Sequence, residues 1–260
     1  MSLFDLKNKS ILITGSSRGI GKAIAHQSAV HGAKVIISSR NIDACIETAN
    51  EINKSIGKEV AFPIAANISH EDQLKNLVEK TMETLGGIDT LVCNAATNTY
   101  MGSMLDMTNE QFTKVMNNNI RSNQILCNLC LPHMVEKKDG TIIIISSIGG
   151  IKGSALLGAY NISKAADIMI VKNIAAEFGS KNIRANSIAP GLIKTDFAKA
   201  LWENPEICNE VLKTCPMNRI GDPDEVAGIA VMLASNAGNY INGQTIVVAV
   251  SYTHLRAHET

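Results

Sequence analysis

The sequence predicts a single α/β domain built on a doubly wound, seven-stranded parallel sheet. Three observations carry this expectation. Short Ile- and Val-rich runs alternate with amphipathic segments along the whole chain. The runs are almost continuously aliphatic, as strands buried on both faces must be. No linker, low-complexity tract or short repeat divides the 260 residues.

The strand-like runs cover residues 10–14, 34–38, 60–65, 89–94, 141–146, 183–189 and 244–250. Helical patterns fall between them at 20–31, 42–55, 70–85, 109–136, 160–179 and 223–234. Residues 194–216 break the rhythm, with the only tryptophan, Trp202, and with Pro205 and Pro216. An insertion of that length predicts a substrate lid or binding segment; the alternative is a surface helix pair. The domain is expected to occupy residues 1–250. Residues 251–260, SYTHLRAHET, carry no strand pattern and read as a non-native tail.

Composition excludes several classes of function. Apolar residues make up 45% and charged residues 18%, enough for a sizeable core and unlike a disordered chain. Lys plus Arg and Asp plus Glu balance at 24 each, so no excess charge points to nucleic acid or an anionic membrane. The opening MSLFDLKNKS has no long apolar run, and the longest aliphatic run, Ile142 to Ile145, is far short of the ~20 residues of a membrane span. A cytoplasmic protein with six reduced thiols is expected. Cys127 and Cys130 form a C-x-x-C among Ile125, Leu126, Leu129 and Leu131, a helical core pattern, with a redox or metal role as the alternative. No metal is expected.

The chemistry begins where the first strand ends. Ile11-Leu12-Ile13-Thr14 runs into Gly15-Ser16-Ser17-Arg18-Gly19-Ile20-Gly21, and a helix follows. Gly15 takes the tight turn, Gly19 removes bulk so that a pyrophosphate reaches the backbone, and Gly21 permits close helix packing. The helix start then offers unpaired N–H groups to the phosphates. The second strand ends Ser38-Ser39-Arg40-Asn41, with no acid for a ribose 2′-hydroxyl. Ser39 and Arg40, with Arg18 nearby, suit a 2′-phosphate, so NADP(H) is expected over NAD(H); the alternative is a solvated Arg40. Tyr160 and Lys164 stand at i and i+4 on one helix face. A phenol titrates near ~10, and a neighbouring ammonium lowers that value toward the range of acid–base work.

Five motifs in order now carry a resemblance: TGSSRGIG at 14–21, CNAA at 93–96, ISS at 145–147, YNISK at 160–164 and PGLIKT at 190–195. Together they resemble the short-chain dehydrogenase/reductase family over nearly the whole chain. Ser39-Arg40-Asn41, Asn94-Ala95-Ala96-Thr97-Asn98 and GLIKTDFAKALW resemble its NADPH-dependent carbonyl reductase and retinol dehydrogenase branch. The resemblance implies a Rossmann-type fold and hydride transfer between NADP(H) and a carbonyl/alcohol pair. It makes Tyr160 the proton donor and gives Lys164 a second task on the nicotinamide ribose. It assigns Ser147 to the substrate oxygen; strand alternation turns the neighbouring Ser146 to the other face. It gives Asn119 a water that links Lys164 to solvent, the alternative being a plain polar helix face. It places Ser17, Arg18 and Ile20 with the glycines at the phosphates, Asn67 and Ile68 at the adenine, and Asn94, Ala95 and Ala96 beside the cofactor. Pro190, Gly191, Ile193 and Thr195 would close over the nicotinamide. Thr97, Ile148, Leu157 and Trp202 are the expected, mostly apolar, substrate walls.

The resemblance further implies a homotetramer paired through the helices at 109–136 and 160–179. Three departures stand out: Asn67 where an aspartate is common, Ala96 where glycine is usual, and the tail in place of Asp-Gly-Gly. If the tail is foreign, a peroxisomal signal at the native end would be lost. His254 and His258 leave a metal-binding reading of the tail as a remote alternative. A non-catalytic NADP(H)-binding regulatory protein is the rival function, and the intact Ser147, Tyr160 and Lys164 argue against it.

Overall fold

A computed structural model describes residues 2–213 and 215–249. The tail at 251–260 and the last residue of the seventh expected strand lie outside the described residues. Among the described residues, seven strands form one sheet in the order β3-β2-β1-β4-β5-β6-β7, every neighbouring pair parallel. They are β1 Ser10–Thr14, β2 Lys34–Ser38, β3 Ala61–Pro63, β4 Thr90–Cys93, β5 Gly140–Ile145, β6 Ile183–Pro190 and β7 Thr245–Val248. The helices are α1 Gly19–Val30, α2 Ile42–Ile56, α3 Glu71–Leu85, α4 Asn109–Met116, α5 Ser122–Lys137, α6 Gly158–Phe178, α7 Lys199–Trp202, α8 Pro205–Lys213 and α9 Pro223–Ala234.

Both faces of each central strand are aliphatic because both are covered. Ile11, Ile13, Val35, Ile37 and Ile143 point to one side, where Ile24 and Ala25 of α1, Ile52 of α2 and Val226, Ala230 and Val231 of α9 meet them. Leu12, Ile36, Leu91, Ile142 and Ile144 point to the other, against Leu74 and Leu77 of α3, Leu126 and Met134 of α5 and Val171 and Ile174 of α6. Strand order reverses between β1 and β4, which opens a crevice at their carboxyl ends. The motifs at 14–21, 93–96, 145–147 and 190–195 follow the carboxyl ends of β1, β4, β5 and β6.

Two expectations change in detail. The helix expected at 109–136 is three pieces: α4, a π turn at Asn117–Arg121, and α5. Asn118 and Asn119 on that turn bond sideways to other segments, and such lateral demands are a common cause of a wide turn. The third strand shrinks from 60–65 to Ala61–Pro63. The long insertion folds as a 3₁₀ turn at Asp196–Ala198 followed by α7 and α8. Cys127 and Cys130 are buried on α5, and all six cysteines are free thiols. No described helix is long and apolar enough to cross a membrane.

Candidate active site

The glycine loop is held by its own Ser16 and by its neighbours. Gly15 and Gly19 have φ of +65° and +55°, the region that favours glycine. The Ser16 hydroxyl donates to the Ile13 carbonyl (2.7 Å) and accepts from the Ser38 N–H (2.8 Å), tying the loop to β2. Asn94 at the end of β4 donates from Nδ2 to the Thr14 and Gly15 carbonyls, both at 3.0 Å. The Thr14 hydroxyl accepts in return from the Asn94 and Ala95 N–H groups. The Thr48 hydroxyl donates to the Ser17 carbonyl at 3.0 Å.

Space is tightest at Gly21, where a Cβ would lie 2.4 Å from the Gly15 carbonyl oxygen. At Gly19 the added atom would instead reach into the gap toward Thr195, 3.3 Å from its methyl carbon. No side chain caps the start of α1, and its first turn, which includes Ile20, has no acid. Uncapped N–H groups beside a side-chain-free gap fit a dinucleotide phosphate.

Around the loop, exposed Arg18 pairs with Asp196 of the insertion at 3.5 Å, reaching across the crevice mouth. Arg40 is exposed beside Asn41, whose side chain caps α2 by accepting from the Asp43 and Ala44 N–H groups. The Ser39 hydroxyl donates to the Asn41 carbonyl at 3.1 Å. Asn67 accepts on Oδ1 from the Ser69 N–H, and half-buried Ile68 packs on the core. Ala96 is half-buried just after that β4 clamp.

On the opposite side, Pro190 ends β6 and the Gly191 N–H donates to the Val248 carbonyl. Ile193 bridges to Gly221, ahead of α9. That approach is braced by a two-bond pair of Arg219 with Glu225, at 2.7 and 2.6 Å. Arg219, then the Asp222 N–H, hold the Glu225 carboxyl down to about 2. Trp202 donates from its indole to the Thr195 carbonyl at 2.8 Å, so its polar edge is spent on the insertion's own base.

Helix α6 carries the expected tyrosine and lysine on one face. Tyr160, Lys164 and Asp167 stand at i, i+4 and i+7, one above another. The Lys164 ammonium donates to the Ile145 carbonyl at the end of β5 (2.7 Å) and to Asp167 Oδ2 (3.0 Å). It lies 5.7 Å from the centre of the Tyr160 ring. Asp167 accepts on Oδ1 from Asn123 of α5 at 2.9 Å. Tyr160 is half-buried, with the Phe197 ring centred 6.0 Å away and tilted by 40°.

The two serines after β5 diverge as strand alternation predicts. Ser146 is buried and donates to the Lys164 carbonyl, whereas half-buried Ser147 accepts from the Gly149 N–H at 3.1 Å. The Asn119 side chain is hydrogen-bonded within the protein. Its amide accepts from the Thr97 N–H (2.7 Å) and donates to the Thr97 carbonyl (2.9 Å) and the Ser163 hydroxyl (3.0 Å). That amide therefore braces the loop after β4 against α6.

Burial works against both charges of the Lys164–Asp167 pair, and mutual contact works for both. Burial alone would lower the lysine; the charges of Asp167 and Tyr160 outweigh it and hold Lys164 above its ordinary value. Burial pushes the Asp167 carboxyl up, against the pull of Lys164 and Asn123. The Cys93 thiol is pushed well up, first by its hydrogen bond with Cys127 and then by burial. Burial also pushes Cys130 up. These thiols are neutral packing.

The outer rim is apolar. Ile148 lies in a 3₁₀ turn, and Leu157 bridges to Gly102 ahead of exposed Met104 and Leu105. Ile151, Leu156 and Phe197 are exposed as well. Of the expected walls, Thr97 is the most constrained, since its hydroxyl also accepts from Asn118. Sequence reasoning missed Asp167, Asn123 and Phe197. The i+7 position of Asp167 could have been found from spacing; the other two meet the site only through the fold.

A glycine-bearing loop at the switch point, beside a tyrosine–lysine helix face, fits the class of nicotinamide-dependent oxidoreductases of doubly wound fold. A family model described as Enoyl-(Acyl carrier protein) reductase matches residues 15–253. Dehydrogenase/reductase SDR family member 4 of Bos taurus is 37% identical over 254 residues, covering 96% of this chain and 89% of its own. A 3-oxoacyl-(acyl-carrier-protein) reductase of Chlamydia muridarum is 39% identical over 243 residues, covering 94% and 96%. A 7α-hydroxysteroid dehydrogenase solved with NADH and 7-oxo glycochenodeoxycholic acid superimposes with a TM-score of 0.91 at 34% identity, covering 96% of each chain. The chain belongs to the short-chain dehydrogenase/reductase family, whose enzymes use nicotinamide cofactors on small-molecule substrates. The relatives' names differ in substrate, so membership defines the reaction type and not the compound.

Proposed function

We propose that the protein transfers hydride between NADP(H) and a carbonyl/alcohol pair on a small, mostly apolar substrate. The observation that carries this reading is the Lys164 ammonium, fixed at the end of β5 and 5.7 Å from the Tyr160 ring. The loop from Gly15 to Gly21 would hold the pyrophosphate, and Ser39 with Arg40 the 2′-phosphate. Asn67 and Ile68 would meet the adenine; Asn94, Ala95 and Ala96 would line the cofactor's path. Pro190, Gly191, Ile193 and Thr195 would orient the nicotinamide, which when bound supplies or accepts the hydride.

Tyr160 holds a proton at its phenol oxygen and passes it to the substrate oxygen, or takes it back in alcohol oxidation. Ser147 donates a hydrogen bond to the same oxygen and fixes its position. Lys164 keeps a positive charge beside the phenol and donates to the ribose. Asn119 keeps Thr97 and α6 in register. The apolar rim of Met104, Ile151, Leu156 and Phe197 favours an apolar substrate body and excludes water from the reacting groups. Exposed Phe112 on α4 and Ile162 and Met169 on α6 support pairing of subunits through these helices in a homotetramer.

The test is turnover of a panel of ketones and aldehydes with NADPH and with NADH. NADPH should give the higher kcat/KM. Arg40→Asp should reverse that preference by at least tenfold, since a charge-assisted hydrogen bond contributes ~1.5–3 kcal/mol. Equal use of NADH by the parent would overturn the NADP(H) assignment. Cofactor affinity without any tyrosine-dependent turnover would favour a nucleotide-sensing protein instead.

A further inference from the structure

Among the described residues, Asp167 is the one buried carboxylate beside Tyr160 and Lys164, and the proton path from Tyr160 does not use it. Its side chain is fully buried, and so nearly is that of Lys164, at 0% and 3% exposure. A carboxylate in that position is costly unless it is paired. Both its oxygens are engaged, one by the Lys164 ammonium at 3.0 Å and one by Asn123 at 2.9 Å. Asn123 follows the π turn that carries Asn119, which itself bonds Ser163, the neighbour of Lys164. The carboxylate is thus anchored to α5 independently of the lysine it holds.

We propose that Asp167 is a positioning residue: its carboxylate is the built-in counter-ion that keeps the buried Lys164 ammonium charged and seated between Ile145 and Tyr160. The proposal rests on the reading of Lys164 given above. An ammonium without a counter-ion in such a site loses its proton more readily, because burial disfavours the charged form. The lysine would then stop serving the phenol as pH rises. The titratable groups that face the pair are Tyr160 on α6 and Cys93 on β4, with Cys127 and Cys130 on α5 set behind Cys93. None of these thiols can replace the missing charge while protonated. Asn123 and the Ile145 carbonyl are the neutral partners.

The sign follows directly. Alcohol oxidation needs Tyr160 deprotonated and Lys164 protonated. In the parent, kcat for alcohol oxidation with NADP⁺ should rise with pH and stay level to the end of the assay range. In Asp167→Asn, which keeps the shape and an oxygen for Asn123, the same profile should become bell-shaped. One unit of fall in the lysine titration lowers its ammonium fraction about tenfold on the alkaline side. Asp167→Glu should restore part of the level region, which a purely steric role would not.

Nitrogen-detected NMR of labelled lysine gives a readout free of turnover. In the cofactor-free parent, the Lys164 ammonium should persist past the ordinary lysine value of ~10.4, and in Asp167→Asn it should titrate below it. Superimposable lysine titrations of parent and variant would overturn the proposal, as would a uniform loss of activity at every pH. Absence of any turnover in the parent would count against the oxidoreductase reading, and the lysine titration would still decide the role of Asp167.

Discussion

Replacing Tyr160 by phenylalanine should lower kcat by ~10²–10⁴-fold while leaving NADPH affinity within a few-fold of the parent. The substitution removes one oxygen and little else. The ring remains, so its packing against Phe197 at 6.0 Å survives. Ser163 donates to the Tyr160 main-chain carbonyl, not to the phenol, so that contact survives as well. Lys164 keeps its bonds to Ile145 and Asp167. A large rate loss with an unchanged melting temperature would therefore be chemical. Single-turnover absorbance of NADPH separates the two quantities, since cofactor binding and consumption are read in one experiment. Parent-like turnover by the phenylalanine variant would remove Tyr160 from the proton path.

Gly21→Val should be the most damaging change in the phosphate loop. Its first added carbon would lie 2.4 Å from the Gly15 oxygen and 2.5 Å from Asn94 Nδ2. Neither can retreat cheaply, because Asn94 is the clamp that fixes Thr14 and Gly15 to β4. Overpacking of this kind costs ~1–3 kcal/mol, which for a chain of this size lowers Tm by several degrees. The larger effect should fall on cofactor affinity, because the displaced segment is the one proposed to face the phosphates. Gly228→Ala on α9 is the matched control: nothing lies within 4 Å of the added carbon, so it should be neutral or stabilising by up to ~1 kcal/mol. Calorimetry and fluorescence titration of NADPH check both variants. A Gly21→Val protein that binds NADPH normally would show that the loop is not the phosphate site.

The sheet was readable because its strands are unusually pure. Ile11 to Ile13 and Ile142 to Ile145 are aliphatic on both faces, and only a strand covered on both sides demands that. The glycine loop was readable because each glycine answers a separate local need, at Gly15 a positive φ and at Gly21 a close contact. Tyr160 and Lys164 were readable from helical spacing alone. The π turn was not. It accompanies bonds that Asn118 and Asn119 make to Ser69, Thr97 and Ser163, and nothing local in the run Asn117-Asn118-Asn119 announces them.

Asp167 shows a different kind of miss. Its spacing from Tyr160 and Lys164 was in plain view, yet an aspartate on a long helix reads as solvent-facing until its burial is known. The side-chain partners of Asn119, the Thr97 backbone and Ser163, were hidden for the same reason: they are set by tertiary contacts. Arg18 reads as a phosphate ligand from position, and in the structure it reaches Asp196 across the crevice mouth.

The central claim is that hydride passes between the nicotinamide and a carbonyl carbon held beside Tyr160. NADPH carrying deuterium at the reactive ring carbon, incubated with the protein and a panel of apolar ketones, tests it most directly by mass spectrometry of the alcohol. The account predicts an alcohol one mass unit heavier, formed by the parent and all but lost in Tyr160→Phe. Tight NADPH binding with no labelled alcohol from any member of the panel would contradict it.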